Sequence, residues 1–156
     1  MNQSRIESRI EQIPAVKAIG VQALRVHQFV YVNSGGRIGH HLAGTRSLIL
    51  RTVGAKTGAQ RTNALTYAKA GDEYLVVASN GGAQRSPGWY HNLRSNPEVE
   101  IQVGTRRIPV RARPVLPGDA DRDRFWTIVN DHNRNRYRAY QKVTSRPIPI
   151  IALRPR

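Results

Sequence analysis

Near the start of the chain, apolar residues return at the spacing of a helix: Val16, Ile19, Ala23, Val26 and Val30. That period gathers them on one stripe and predicts an amphipathic helix over about 15–32. The run "NSGGRIG", 33–39, ends it, because paired glycines favour a turn over further helix. Beyond that point the pattern becomes that of strands. Short runs of apolar and β-branched residues occupy 47–53, 60–69, 73–79, 98–103, 106–115 and 146–153, with Gly, Pro or Asn at their ends. Helical stretches are predicted at about 88–94, at 117–132, where Pro117 and the acidic residues after it suit a helix start, and at 135–143. Pro109 and Pro114 lack the amide that a ladder needs, so strand 106–115 is expected at an edge or with a bulge.

Six mostly antiparallel strands joined by short turns, with helices at the margins, predict an α+β fold built as a small barrel. The sequence shows neither an internal repeat nor a break in composition. One domain over 1–156 is expected, with the helix at about 15–32 and the barrel at about 46–156.

Composition narrows the chemistry. Cysteine is absent, which excludes disulfides, thiolate metal sites and a cysteine nucleophile, and fits a reducing, cytoplasmic setting. Glu7 and Glu11 beside Arg5 and Arg9, with no clean apolar core after them, argue against a secretory signal. Stretch 14–32 carries Lys17, Gln22, Arg25, His27 and Gln28 and is too polar to span a bilayer. The charge is lopsided: 25 basic residues against 10 acidic give a net charge of +15. No Asp or Glu lies between Glu11 and Asp72, where eight Lys and Arg fall. Such a field draws an anionic partner, whether nucleic acid, a lipid surface or a polyanionic small molecule. It equally describes a solvated surface in an arginine-rich protein.

Two stretches carry candidate chemistry. In "GAKTGA", 54–59, glycines bracket Lys56 between two strands, and Arg61 follows. Glycines there allow positive φ, so that successive backbone amides can converge into an anion-binding hollow. A plain hairpin turn has the same composition. In "ASNGGAQRSPGWYHNL", 78–93, Ser79 ends a strand, Gly81 and Gly82 leave the main chain open to a flat ligand, and Trp89 and Tyr90 begin a helix. The alternative is a tight connection followed by two core aromatics. The histidines form no metal pattern, since His40 and His41 are adjacent and no carboxylate cluster accompanies them.

Taken in order, "LILRTVGAKTGAQRTNALTY", "YLVVASNGGAQRSPGWYHNLRSNPEVEIQVG" and "YRAYQKVTSRPIPIIAL" closely resemble the deazaflavin-dependent nitroreductase family. Its members are split-β-barrel oxidoreductases, related in fold to FMN-binding split barrels, that use coenzyme F420. This is an 8-hydroxy-5-deazaflavin with a phosphate and a polyglutamate tail. The resemblance implies that Ala55, Lys56 and Thr57, with Arg61, hold the phosphate and tail. It places Thr62, Asn63, Ala64, Leu65 and Thr66 along the coenzyme, and Val77, Ala78, Ser79 and Asn80 along its ring. Gly88, Trp89, Tyr90, His91 and Asn92 would close the other side, with Tyr137 over the ring.

The implied reaction passes a hydride from reduced deazaflavin to an electron-poor acceptor: a quinone such as menaquinone, an enone or lactone, or a nitroaromatic. Tyr137, Tyr140 and Ser79 are the implied donors where negative charge builds up on the acceptor. Members that reduce nitroimidazoles carry a further tyrosine three positions before the first; Arg134 stands there, which points towards quinones or enones. The resemblance leaves open the oligomeric state and peripheral contact of the 15–32 helix with anionic membrane; covering the barrel is the favoured role of that helix.

Two alternatives rest on other features. Arg107, Arg111 and Arg113 alternate along one strand face and could read as a nucleic-acid surface, although stacking aromatics and helix-turn-helix patterns are missing. FMN is the other, since split barrels also house it.

Overall fold

The computed structural model describes residues 23, 25–39, 41–42 and 44–156. The first half of the expected N-terminal helix lies outside these residues, and its second half forms α1 over 25–33. The strands are β1 (His41–Leu42), β2 (Thr45–Val53), β3 (Gln60–Thr66), β4 (Ala68–Ala70), β5 (Glu73–Val77), β6 (Glu98–Val103), β7 (Arg106–Val115) and β8 (Ile150–Pro155). Three further helices are α2 (Gly88–Ser95), α3 (Arg122–His132) and α4 (Arg136–Val143).

Every pairing among the described residues is antiparallel. The sheet runs β1-β2-β6-β7-β8-β5-β4, and β3 pairs with the remaining side of β2. The expected single strand 60–69 is therefore two strands. Its first half pairs with β2 and its second with β5, and the change of partner falls at Tyr67. One bent segment thus joins the two ends of the sheet and rolls it into a barrel. Tyr67 makes the corner: its amide still donates to Arg46 O, and its buried ring packs against Tyr74 at 5.5 Å between centroids.

Alternation along the strands gives two apolar layers. Leu48, Leu50, Val76, Ile101, Val110, Ile151 and Leu153 fill the barrel, and α2 adds Trp89, Tyr90 and Leu93. Leu75, Val77, Ile150 and Ala152 point outward and are covered by Phe125 and Val129 of α3, Tyr137 of α4 and Ile148. Burial on both faces is why Leu75, Val76 and Val77 form an unbroken apolar run. The Arg122 guanidinium is buried beneath this outer layer, donating to Val115 O and Ile148 O and lying 4.5 Å from the Trp126 ring.

Three boundary expectations are corrected. Strand β7 is neither an edge nor bulged; it is flanked by β6 and β8. Its prolines are tolerated because each faces a place where the neighbour has ended. Pro109 O accepts from Arg156 N, one residue past β8, and Ala112 N donates to Pro97 O, so the position of Pro114 on that side lies before β6 begins. Helix α3 starts at Arg122 and not near Pro117, since Leu116–Asp119 forms a turn held by Asp119, whose carboxylate accepts from Leu116 N. The closing strand begins at Ile150, and 144–149 is instead a connection.

Helix α1 also docks differently from its pattern. Val26 and Val30, on the expected core stripe, are 62% and 36% exposed, and Phe29 is 68% exposed. Tyr31 is the buried residue, and its hydroxyl donates to Ser47 O and accepts from Gly104 N. Gly36 follows at a contact so close that a Cβ would lie 1.6 Å from Gly104 O. No helix among the described residues is long and apolar enough to cross a membrane.

Candidate functional site

The β2–β3 turn is a tight loop closed at both ends. Gly54 N donates to Ala59 O and Gly58 N donates to Gly54 O. Only Gly58 has positive φ, +68°. A Cβ at Gly54 would crowd Thr57 Oγ1 at 2.7 Å and Ala59 O at 3.3 Å. The Ala55 amide donates to Asn92 Oδ1 at 3.0 Å, and Asn92 Nδ2 donates to Thr52 Oγ1 at 3.1 Å. The Asn92 carboxamide thus ties the turn to α2. The amides of Lys56 and Thr57 are left without a partner among the described residues.

A cleft of about 1050 Å³ opens beside this turn. It is lined by the turn itself, by Arg61, Thr62 and Asn63 of β3, by Asn80, and by the start of α2, with Gly88, Trp89, His91 and Asn92. Of the residues implied in coenzyme binding, the structure therefore brings Ala55, Lys56, Thr57, Arg61, Thr62, Asn63, Asn80, Gly88, Trp89, His91 and Asn92 around one space. Gly54, read in the sequence as part of the anion-binding hollow, lines it too, as do Ser86 and Pro87, which were not anticipated. Lys56, Thr57 and Arg61 are exposed at the mouth, while Trp89 is only 7% exposed, its indole packed in the barrel core beneath the cleft.

The other implied residues lie elsewhere. Tyr90 is buried in the barrel core, and Val77, the last residue of β5, and Ala78, just past it, are buried on opposite faces. Ala64, Leu65 and Thr66 continue β3 beyond the cleft, where α1 approaches the strand. Ser79, largely buried, is followed by a 3₁₀ turn, Asn80–Gly82. The two glycines of this turn differ in role. A Cβ at Gly81 would meet open space, whereas one at Gly82 would lie 2.5 Å from Val143 Cγ2 and 3.0 Å from Tyr140 O. Gly82 therefore admits α4, not a ligand, to the main chain.

Arg146 secures the same loop. Its Nε donates to Ala83 O at 2.8 Å, and its Nη2 to Ser79 O at 2.9 Å and Ala78 O at 3.2 Å. Gln84 Oε1 accepts from the hydroxyls of Thr144 and Ser145. Loop 78–84 and the segment after α4 are thereby held as one unit.

Tyr137 and Tyr140 do share a face of α4, with rings edge-on at 6.4 Å. Tyr137 is 7% exposed in the outer core, and burial, reinforced by Tyr140, pushes its phenol up to about 12 despite a hydrogen bond with Asn133. It stays protonated at neutral pH. Tyr140 is the more accessible of the two. Arg134 adopts a left-handed conformation, φ 52°, in the link between α3 and α4.

Three of the four arginines of β7 are matched by carboxylates: Arg107 with Glu100, Arg111 with Glu98, and Arg113 with Asp121. That pairing dilutes the positive stripe that a nucleic-acid surface would need.

Comparison with known proteins agrees with this geometry. The sequence model of the family described as F420H(2)-dependent quinone reductase matches residues 23–155. The chain belongs to that family. A protein named F420H(2)-dependent quinone reductase from Mycobacterium tuberculosis (strain ATCC 25618 / H37Rv) is 57% identical over 136 residues, covering 86% of this chain and 91% of the relative. A solved structure titled F420-H2 Dependent Reductase (FDR-A) superposes with a TM-score of 0.60 at 32% identity, covering 68% of this chain and 92% of that one. Another, described as a domain-swapped dimer, gives 0.64 at 28% identity, covering 89% and 98%. The barrel is accordingly the split barrel of these reductases, and neither the FMN nor the nucleic-acid alternative is favoured.

Proposed function

We propose that the cleft beside the β2–β3 turn holds coenzyme F420 by its phosphate and acidic tail, and that the protein reduces quinone-type acceptors with it. The observation that carries the binding mode is the donor set at the turn. Two unpaired amides, Lys56 and Thr57, adjoin the Lys56 and Arg61 side chains and open on one cleft with an aromatic floor. An oxyanion satisfies such amides, and the two cations compensate its charge. A neutral ligand would leave both cations unused.

When bound, the coenzyme supplies the hydride. The chain's own residues do the rest. Asn92 fixes the turn against α2 at the edge of the cleft, and Trp89 gives the floor its apolar surface. Tyr140, Tyr137 and Ser79, none of which lines the cleft itself, remain the candidate hydrogen-bond donors to the acceptor from the α4 side. Tyr137 suits a donor that retains its proton, since burial holds the phenol up at about 12. Arg134 occupies the place of the tyrosine found in nitroimidazole-reducing members, so menaquinone-like quinones and enones are the preferred acceptors.

The test is a fluorescence titration of coenzyme F420, followed by turnover with a menaquinone analogue, an enone and a nitroimidazole. Lys56→Ala should weaken coenzyme binding about tenfold and flatten its salt dependence. Tyr137→Phe should lower the rate while leaving coenzyme affinity unchanged. Wild-type affinity in Lys56→Ala, or preference for FMN over the deazaflavin, would overturn this reading.

A further inference from the structure

Backbone groups of successive strand residues point to opposite edges. In β3 the register with β2, with Tyr67 N donating to Arg46 O, turns Arg61, Asn63 and Leu65 towards β2 and Thr62 and Ala64 away from it. No strand among the described residues covers that outer edge, because the segment changes partner at Tyr67. A side chain from α1 covers it instead. Gln28 Nε2 donates to Thr62 O at 2.7 Å, and Gln28 Oε1 accepts from Ala64 N at 3.2 Å. A single carboxamide thus spans the two-residue repeat as a neighbouring strand would. The cleft ends at this point: Thr62 and Asn63 line it, while Ala64 does not.

We propose that Gln28 is a stand-in on the outer edge of β3, holding the main-chain pair of Thr62 and Ala64 until a planar amide or imide displaces it. The proposal rests on the coenzyme reading above. On this edge Thr62 O and Ala64 N–H stand side by side as an acceptor and a donor. A ligand must therefore present an N–H beside a carbonyl, in the plane of a ring able to lie along a strand. The pyrimidinedione of a deazaflavin has this pair, an N–H flanked by two carbonyls. Gln28 presents the same pair on a flexible stem. Its release does not require α1 to leave, since Tyr31 anchors the helix separately through Ser47 O and Gly104 N.

The sign of the effect separates a stand-in from a binding residue. Gln28→Ala and Gln28→Met, the latter keeping the length without the amide, remove the competitor. In ligand-free protein, exchange of the Ala64 amide followed by NMR should quicken about tenfold in both variants. Coenzyme F420 should bind them about fivefold to tenfold more tightly than wild type. A deazaflavin methylated on the imide nitrogen should show no such gain. Weaker or unchanged coenzyme affinity in the variants, beside normal binding to wild type, would overturn this proposal alone. Absence of coenzyme binding to wild type and variants alike would overturn it together with the coenzyme reading.

Discussion

Replacing Arg146 separates charge from geometry at the loop that borders the cleft. Its guanidinium makes three bonds to carbonyls of Ala78, Ser79 and Ala83 at 2.8–3.2 Å, and burial draws its pKa below the ordinary arginine value. The group nevertheless keeps its charge. Each charge-assisted bond contributes about 1.5–3 kcal/mol when its removal leaves a partner unsatisfied. The side chain is partly exposed and its three bonds share one rigid fork, so they do not add in full. A loss of about 3 kcal/mol is expected for Arg146→Ala, and about 2 kcal/mol for Arg146→Lys, because an ammonium cannot span three carbonyls in one plane. For a domain of this size the melting temperature should fall by roughly 6–12 °C in the alanine variant.

The assay is thermal unfolding followed by circular dichroism, paired with coenzyme titration on the folded variant at a temperature well below its transition. Because Arg146 fixes the carbonyls of Ala78 and Ser79, the neighbouring Asn80 at the cleft is expected to lose its fixed position, and coenzyme affinity should fall in both variants. A lysine variant melting with the wild type would show that the charge alone suffices. An alanine variant that melts early yet binds the coenzyme unchanged would show that the clamp serves stability only. Either result refutes the reasoning.

Two further outcomes follow from packing and burial. Gly82→Ala should cost about 2–4 kcal/mol, since φ is +84° and the new Cβ would press on Tyr140 O and Val143, whereas Gly81→Ala, at φ +63° with open space around it, should cost only about 1 kcal/mol; urea midpoints measure both. Tyr137 titrates at about 12 in the folded protein against 10.0 unfolded, so the unfolded chain loses its proton first as pH rises. The stabilisation is full below pH 10 and is lost as pH climbs through 12, amounting to about 2–3 kcal/mol. Urea unfolding at pH 9 and pH 11.5 should show a smaller alkaline loss in Tyr137→Phe than in wild type.

The parts of the fold that could be read in advance are those whose cause is local. The strands over 47–53, 98–103 and 106–115 were visible because alternation and bounding turns act within a few residues. The β2–β3 turn was visible because glycine, lysine and glycine state their own constraints. The breaks in the reading fall where a distant element decides. Segment 60–69 has no glycine or proline at Tyr67 to announce a corner; the change of partner from β2 to β5 makes one. Val26 and Val30 keep a helical period but face solvent, because the buried hydroxyl of Tyr31 fixes which side of α1 meets the barrel. Pro109 looked like a mark of an edge, yet the end of β8 supplies the gap it needs.

The same division explains the site. Its ligand-facing elements were legible as motifs, but what holds them in place was not. Asn92 reaches 37 residues back to Ala55, Gln28 reaches 36 residues forward to Ala64, and Arg146 reaches 67 residues back to Ser79. Each is a polar side chain that satisfies main-chain groups of a loop or an open edge, and nothing in its neighbours in the sequence reveals this. The Asn92 and Arg146 ties join segments that face the cleft, so removing either should loosen the cleft without opening the barrel. The Gln28 tie differs in kind. It occupies groups that a ligand can use, and so it is the one whose loss should strengthen binding. Opposite signs for Gln28 and Arg146 in the same coenzyme titration are therefore the sharpest consequence of how this chain is folded.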